Sequence, residues 1–190
     1  MRLYHFTCLL HLPWIMKQGI TKGEVPTGPI PYRLRPQAAN LTRDPDLNHQ
    51  STWILDNHAD KTKIRITVEV PDTSVTSFRD MRERYRIKSS YLKKLDPTYQ
   101  RPNWFFAFGG VSPDQFLAVE IREGRTYRTL SDDELRSLVA RIEEERDSKL
   151  EFLPDDGTLP VKLKDGFSES WLIDGALIPW MAARRNAPAA

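Results

Sequence analysis

The sequence contains a single cysteine, Cys8, among 190 residues. One cysteine cannot form an intramolecular disulfide, and zinc sites built from pairs of cysteines are excluded as well. Cys8 follows the end of a predicted strand and precedes Leu9 and Leu10. We therefore interpret it as a buried packing residue rather than as a nucleophile.

Long apolar segments are also missing. The most apolar-rich stretch, residues 171–181, is too short to span a bilayer and contains Asp174 and Pro179. The sequence shows no basic leader followed by an apolar run and a small-residue cleavage site. We expect a soluble, cytoplasmic protein without a membrane partner, organised as a single domain over residues 1–190.

The formal net charge is only +2, but the charges are unevenly distributed. Residues 1–43 carry six basic side chains and one acidic side chain, and residues 79–101 carry eight basic and three acidic ones. The acidic surplus lies later, over residues 132–151. This distribution suits an anionic ligand such as a dinucleotide or a nucleic acid, and a solvated charged face is the alternative interpretation.

Hydrophobic patterning predicts a mixed α+β fold. Residues 63–70 alternate apolar and polar side chains, which is typical of a half-buried strand. Their outward row includes Arg65, for which an exposed sheet face is expected and contact with a ligand is the alternative. Four further strands are predicted, over residues 3–7, 38–42, 104–108 and 116–121. Helices are predicted over residues 11–19 and over residues 78–99, the latter with a break at Ser89-Ser90. A third helix is predicted after a capping box at residues 131–134.

The N-terminal segment resembles the opening of ADP-ribosyltransferase-like domains. In that family a first strand with the pattern Tyr-His-x-Thr precedes a short helix that ends in Gly-Ile, and here Tyr4-His5-Phe6-Thr7 precedes a helix that ends at Gly19-Ile20. The resemblance implies a split β-sandwich with a short N-terminal helix and flanking helices. It places the core in residues 1–123 and a C-terminal helical extension in residues 124–190.

The same resemblance implies that NAD is the substrate and assigns roles to individual residues. His5 and Thr7 would contact the nicotinamide ribose and amide, and Thr42, at the end of a strand before an Asp-rich turn, would line the nicotinamide pocket. Glu120, in Val-Glu-Ile, matches the catalytic glutamate that stabilises the oxocarbenium-like state. The tyrosine of the family's second strand is absent, and Ala118 stands where the arginine-modifying branch has a second acid.

The segment 21–36 is predicted to be an irregular loop because of its proline and glycine content. Within it, Tyr32 and Arg33, with Arg35 close by, suit contacts with a base and a phosphate, although they could equally be ordinary surface residues. Glu120 also has a plainer interpretation, as an exposed carboxylate near a strand end.

The function that the resemblance implies is NAD-dependent ADP-ribosylation of a macromolecule, either nucleic acid or protein, as in a toxin or a phage or defence effector. One alternative is an RNA 2′-phosphotransferase, for which His11, Arg33 and Arg35 are available to hold phosphate. The other is a catalytically inactive fold member that binds nucleic acid or protein through its basic face. The position of Glu120 relative to His5 discriminates between an enzyme and a binding protein.

Overall fold

A computed structural model describes residues 1–21, 23, 25–27, 36–46, 49, 61–96, 99–152 and 161–163. Within these ranges the chain forms four α-helices and nine β-strands. The helices are α1 (Leu12–Gln18), α2 (Phe78–Arg84), α3 (Ser89–Leu95) and α4 (Asp132–Lys149). The strands are β1 (Arg2–Thr7), β2 (Ala39–Thr42), β3 (Ile64–Glu69), β4 (Thr76–Ser77), β5 (Trp104–Ala107), β6 (Phe116–Glu123), β7 (Thr126–Thr129), β8 (Leu150–Phe152) and β9 (Val161–Leu163).

Seven strands form one antiparallel sheet in the order β4-β5-β2-β1-β3-β6-β7, and β8 and β9 form a separate hairpin. Pairing across the large sheet is uneven. The β1–β3 ladder has six residue pairs, whereas β1 and β2 share one register pair, Tyr4 with Thr42. Backbone pairing is therefore sparse between β1 and β2 at the centre of the sheet, and we call this place the β1–β2 junction.

One face of the sheet, here the α1 face, is covered by α1 and α4. Alternation along the strands turns Leu3, Ile64, Ile66 and Val119 to this side, because directly paired residues point to the same face. They share one buried cluster with Leu12 and Ile15 of α1 and with Leu138 and Ile142 of α4. Apolar spacing on the helices and alternation on the strands thus produce the main core.

The opposite face, here the α2 face, carries α2 and α3 at the β4–β5–β2 end of the sheet. Trp104 and Phe106 point to this side, and they pack with Phe78 and Met81 of α2 and Leu92 of α3. The rings of Phe78 and Trp104 meet edge to face, with centroids 5.6 Å apart. The β1–β3–β6–β7 half of this face carries polar side chains, which form a candidate site described below.

The end of α1 is fixed by a close backbone contact. Ile20 and Val111 form an isolated bridge through two hydrogen bonds of 2.9 and 3.0 Å. Gly19 precedes this bridge with φ of 81°, and a β carbon there would lie 2.2 Å from the carbonyl oxygen of Val111. The glycine predicted to end the helix is therefore required both by its backbone conformation and by the approach of the neighbouring chain.

The structure confirms the α+β class and most of the predicted elements, with several corrections. The predicted helix over 78–99 is two helices, and the break lies at residues 85–88; Ser89 and Ser90 begin α3 instead of ending a helix. The short β4 and β7 were not expected from the sequence. Because β7 pairs with β6, the sheet continues beyond residue 123. None of the helices in the described ranges has the length and apolar character that crossing a bilayer requires.

Candidate functional site

His5 lies on β1 beside the β1–β2 junction. It is directly paired with Ile66, so it belongs to the α1 face, and its Nδ1 lies 2.8 Å from the backbone oxygen of Asn40 on β2. A carbonyl oxygen can only accept a hydrogen bond, so Nδ1 carries the proton in this contact. The imidazole thus spans the two strands where their own pairing is sparse.

The protonation of His5 follows from its surroundings. Burial lowers the pKa of His5 from 6.5 to about 4, the hydrogen bond to Asn40 opposes this shift, and the charges of Lys61 and His11 add to it. The ring is therefore neutral at physiological pH, and Nε2 is an acceptor. A neutral histidine with a fixed tautomer is suited to receive a hydrogen bond from a hydroxyl group, such as that of a ribose.

Cys8 and His11 form an interacting pair next to His5. The Cys8 side chain is fully buried, and burial alone would raise the pKa of its thiol. The charge of His11 and its hydrogen bonds to Cys8 outweigh burial, and Lys61 adds to their effect, so the pKa of Cys8 is lowered. Burial lowers the pKa of His11, but the charge of Cys8 and their hydrogen bond outweigh this effect and raise it. The prediction of a buried cysteine is confirmed, and its pairing with His11 is an additional finding.

The two threonines predicted to line the pocket lie on different faces of the sheet. Thr7 is paired with Ile64 and is buried on the α1 face, two residues after His5. Thr42 is paired with Tyr4 and is buried on the α2 face. The Oγ1 of Thr42 accepts a hydrogen bond of 3.1 Å from the backbone N–H of Asp44, so it stabilises the turn that follows β2.

Glu120 lies on β6, directly opposite Arg65 on β3. Arg65 donates to it twice, from Nε to Oε2 at 2.8 Å and from Nη2 to Oε1 at 2.6 Å. The hydroxyl of Thr67 adds a third hydrogen bond to Oε2 at 3.1 Å. The carboxylate is buried with 8% of the residue exposed, and this bidentate arrangement compensates for its removal from water.

Aromatic rings and a backbone oxygen complete the surroundings of Arg65. Its Cζ lies 4.3 Å from the ring centroid of Tyr127 and 5.6 Å from that of Tyr4, and its Nη1 donates to the carbonyl of Pro45 at 2.8 Å. Arg65 therefore does not lie on an exposed sheet face as predicted: its side chain is 17% exposed. An open cavity of about 270 Å³ adjoins the guanidinium, and it is lined by Pro45, Asp46, Arg65, Arg125, Thr126 and Tyr127.

The register keeps His5 and Glu120 on different sides of the sheet. Arg65, which faces Glu120, is paired with Phe6, whereas His5 is paired with Ile66. Neighbouring residues of a strand point to opposite faces, so His5 belongs to the α1 face and Glu120 to the α2 face. The structure thus brings His5 and Thr7 together on one face, and Glu120 and Thr42 lie on the other.

Two of the predicted binding residues, Tyr32 and Arg33, lie outside the described residues, as does Arg35. The RNA 2′-phosphotransferase hypothesis also relied on His11, which the structure pairs with Cys8. In the described part of the chain, no group of three or more histidine, cysteine, aspartate or glutamate side chains is arranged to hold a metal ion. Thr67 and Tyr127 were missed as site residues, and contact of Arg65 with a ligand was considered only as the alternative to an exposed sheet face. The polar row along β3 was the signal for Arg65 and Thr67.

Comparison with known proteins finds no family model, no curated protein and no solved structure that matches this chain.

Proposed function

We propose that this chain is an NAD-dependent ADP-ribosyltransferase, with a macromolecule, either nucleic acid or protein, as acceptor. The observation that carries the proposal is the neutral His5 at the β1–β2 junction, with Nδ1 held by Asn40 and Nε2 left as an acceptor. In the resembled family the histidine of the first strand contacts a ribose of NAD. A ribose hydroxyl is the kind of donor that Nε2 can receive.

The proposal treats the β1–β2 junction as the split of the resembled fold. A single register pair joins these strands beside His5, whereas β2 and β5 share four pairs. The α+β architecture, the short α1 after β1 and the Gly19-Ile20 ending agree with the expected order of elements. NAD bound at this junction would place its nicotinamide ribose against β1.

The chemistry of such an enzyme is loss of nicotinamide and attack of an acceptor on the exposed anomeric carbon. A fixed carboxylate stabilises the positive charge that develops on the sugar. Glu120 is the carboxylate assigned to this role, and Arg65 and Thr67 hold it in one orientation. Because Glu120 lies on the α2 face and His5 on the α1 face, the two residues do not share one cleft, and their relative position does not favour the enzyme over a binding protein. Participation of Glu120 is therefore a separate claim from the binding of NAD by His5.

A second candidate is a catalytically inactive member of the same class. The specific observation in its favour is that the Glu120 carboxylate already accepts three hydrogen bonds from Arg65 and Thr67. A carboxylate satisfied in this way stabilises the sheet and leaves little capacity for a substrate. NAD would then be bound at His5 without being consumed.

The test is incubation of the purified protein with labelled NAD, measuring bound NAD and released nicotinamide separately. The variants are His5→Gln and Glu120→Gln, and His49→Gln is the matched control because it removes an imidazole from an exposed position. Circular dichroism confirms that each variant is folded. Release by the wild type that is lost in His5→Gln and Glu120→Gln but kept in His49→Gln supports the enzyme.

Two other outcomes are informative. Binding of NAD that depends on His5, without any release of nicotinamide, supports the inactive member of the class. Absence of both binding and release by the folded wild type contradicts the proposal in either form.

A further inference from the structure

The outer surface of α2, the turn after it and α3 is strongly basic. Over residues 78–95 the chain has seven basic side chains and two acidic ones. All seven basic residues are exposed: Arg79, Arg82, Arg84, Arg86, Lys88, Lys93 and Lys94. We call these residues the α2–α3 basic surface. It lies on the sheet face opposite to that of His5.

Three arginines of this surface share one groove. Arg79, Arg82 and Arg86 line an open cavity of about 550 Å³, together with Glu83 and the buried Ile87. Arg82 donates to the Ser89 hydroxyl at 2.9 Å, which holds its guanidinium across the turn. The carboxylate of Glu83 lies 3.7 Å from Arg79, so it balances one of three guanidiniums. The groove retains a positive charge.

The turn that presents Arg86 has a conformation that normally favours glycine. Arg86 has φ of 49°, its N–H donates to the carbonyl of Glu83, and the N–H of Ile87 donates to the carbonyl of Arg82. These two bonds are those of a Schellman motif, in which the left-handed residue is usually glycine. The chain has a large cation there instead, at some cost in backbone energy.

A second left-handed residue, which follows α3 in the chain, carries an exposed aromatic ring. Tyr99 follows α3, has φ of 59° and is 66% exposed. The Cζ of Arg101 lies 4.1 Å from the centroid of its ring. Glycine would occupy both left-handed positions, 86 and 99, with less strain. The presence of arginine and tyrosine there instead indicates that these side chains have a use at the surface.

We propose that the α2–α3 basic surface binds the phosphate backbone of a nucleic acid. The exposed groups are cations spaced over two helices and a turn, which is the pattern that neutralises consecutive phosphates. Tyr85 and Tyr91 are partly buried against the core cluster under the helices, so they supply little of the apolar area that a protein partner would cover. Tyr99 offers a ring for stacking with an unpaired base.

The claim that the acceptor docks on this surface rests on the proposed function. The claim that the surface binds nucleic acid does not. The experiment therefore omits NAD. Fluorescence anisotropy follows binding of a labelled single-stranded DNA of about 20 nucleotides, long enough for one such site. The variants are the triple substitution Arg79→Gln, Arg82→Gln, Arg86→Gln and the single substitution Arg86→Gly. The matched control is Arg2→Gln, Lys17→Gln, Arg141→Gln, which removes the same charge from other exposed positions.

Wild type and control should bind DNA with similar affinity, and the triple variant should bind at least about tenfold more weakly. If each arginine contacts one phosphate, the slope of log K against log salt concentration should also be smaller by about 2 in the triple variant. Arg86→Gly separates recognition from folding. Glycine suits φ of 49°, so the melting temperature should be unchanged or higher while DNA binding weakens.

Equal losses in the triple variant and in the control would show that overall charge, and no particular surface, is responsible, and would overturn the proposal. Equal competition by polyglutamate would overturn the assignment to nucleic acid in favour of an acidic protein. Because no step uses NAD, failure here leaves the proposed reaction untouched, and failure of NAD consumption leaves DNA binding to stand alone.

Discussion

Arg65 and Glu120 face each other across β3 and β6 and are joined by two hydrogen bonds of 2.8 and 2.6 Å. Their side chains are 17% and 11% exposed, and the rings of Tyr127 and Tyr4 lie near the guanidinium. An ion pair this shielded from water has a large desolvation cost that only its partner offsets. Folding of the part of the sheet that contains β3 and β6 is therefore sensitive to the loss of either charge.

Removing one member of the pair should destabilise the protein more than removing both. Arg65→Met leaves the Glu120 carboxylate with one hydrogen bond, from Thr67, and is expected to lower the free energy of unfolding by about 2–4 kcal/mol. The double variant Arg65→Met, Glu120→Leu leaves no unpaired charge and should recover at least half of that loss. Urea unfolding of the wild type, both single variants and the double variant gives the coupling energy.

A matched comparison uses Arg128, whose guanidinium is exposed and pairs with Glu123 and Glu134. Arg128→Met should change stability far less, because exposed pairs contribute little in water. If Arg65→Met and Arg128→Met had equal effects, the buried character of the Arg65–Glu120 pair would be refuted.

The lowered pKa of His5 predicts a pH-dependent stability. Burial moves this pKa from 6.5 to about 4, so the unfolded chain binds a proton more readily between these values. Stability associated with His5 is complete above pH 6.5 and is lost as pH falls towards 4, by up to about 3 kcal/mol. Denaturant unfolding at a series of pH values measures this slope.

His5→Gln serves as the comparison for that slope. It removes the titrating group, so the stability difference between wild type and variant should shrink as the pH falls through this window. In a proton NMR titration the His5 ring signal, identified by its absence in the variant, should shift near pH 4. A His5 resonance that titrates at an ordinary pH would contradict the neutral imidazole on which the NAD proposal relies.

The Cys8–His11 pair makes a prediction about one thiol. The chain has a single cysteine, so the ultraviolet absorbance of the thiolate reports on Cys8 alone. Burial opposes ionisation of Cys8, and His11 is the main group that favours it. His11→Asn should therefore raise the pKa of Cys8, whereas His49→Asn should leave it unchanged. A pKa that stays the same in His11→Asn would show that the pair does not exist in solution.

Local patterns were sufficient to predict most of the fold. The alternation of Ile64, Ile66 and Val68 defined β3, and the Ser131–Glu134 capping box at the start of α4 is present in the structure. β7 was missed because Thr126–Thr129 is short and largely exposed, and Tyr127 is held by a hydrogen bond to the distant Thr62 carbonyl. The helix break was misplaced because it depends on the left-handed Arg86, and a sequence pattern leads one to expect glycine there.

The candidate site was less accessible to sequence reasoning. His5 and Glu120 were named from a resemblance, but their relative position depends on the strand register. Glu120 is 55 residues from Arg65, and no local pattern specifies that these two residues are paired. A shift by one residue would have turned Glu120 to the other face. Register is set by the packing of the whole sheet, so it had to come from the structure.

The final prediction compares three glycines, in order to separate the steric cost of an added β carbon from the cost of a left-handed backbone conformation. Gly19→Ala places a β carbon 2.2 Å from the Val111 carbonyl oxygen at φ of 81°, so the Ile20–Val111 bridge must shift. We expect a loss of about 2 kcal/mol or more in the free energy of unfolding.

Gly124→Ala meets open space at φ of 62° and should cost about 1 kcal/mol for its conformation alone. Gly109→Ala, with open space and no left-handed backbone, should change stability by less than about 0.5 kcal/mol. Thermal unfolding of the three variants gives the order directly. A Gly19→Ala protein as stable as Gly109→Ala would contradict the close approach of α1 to the segment between β5 and β6.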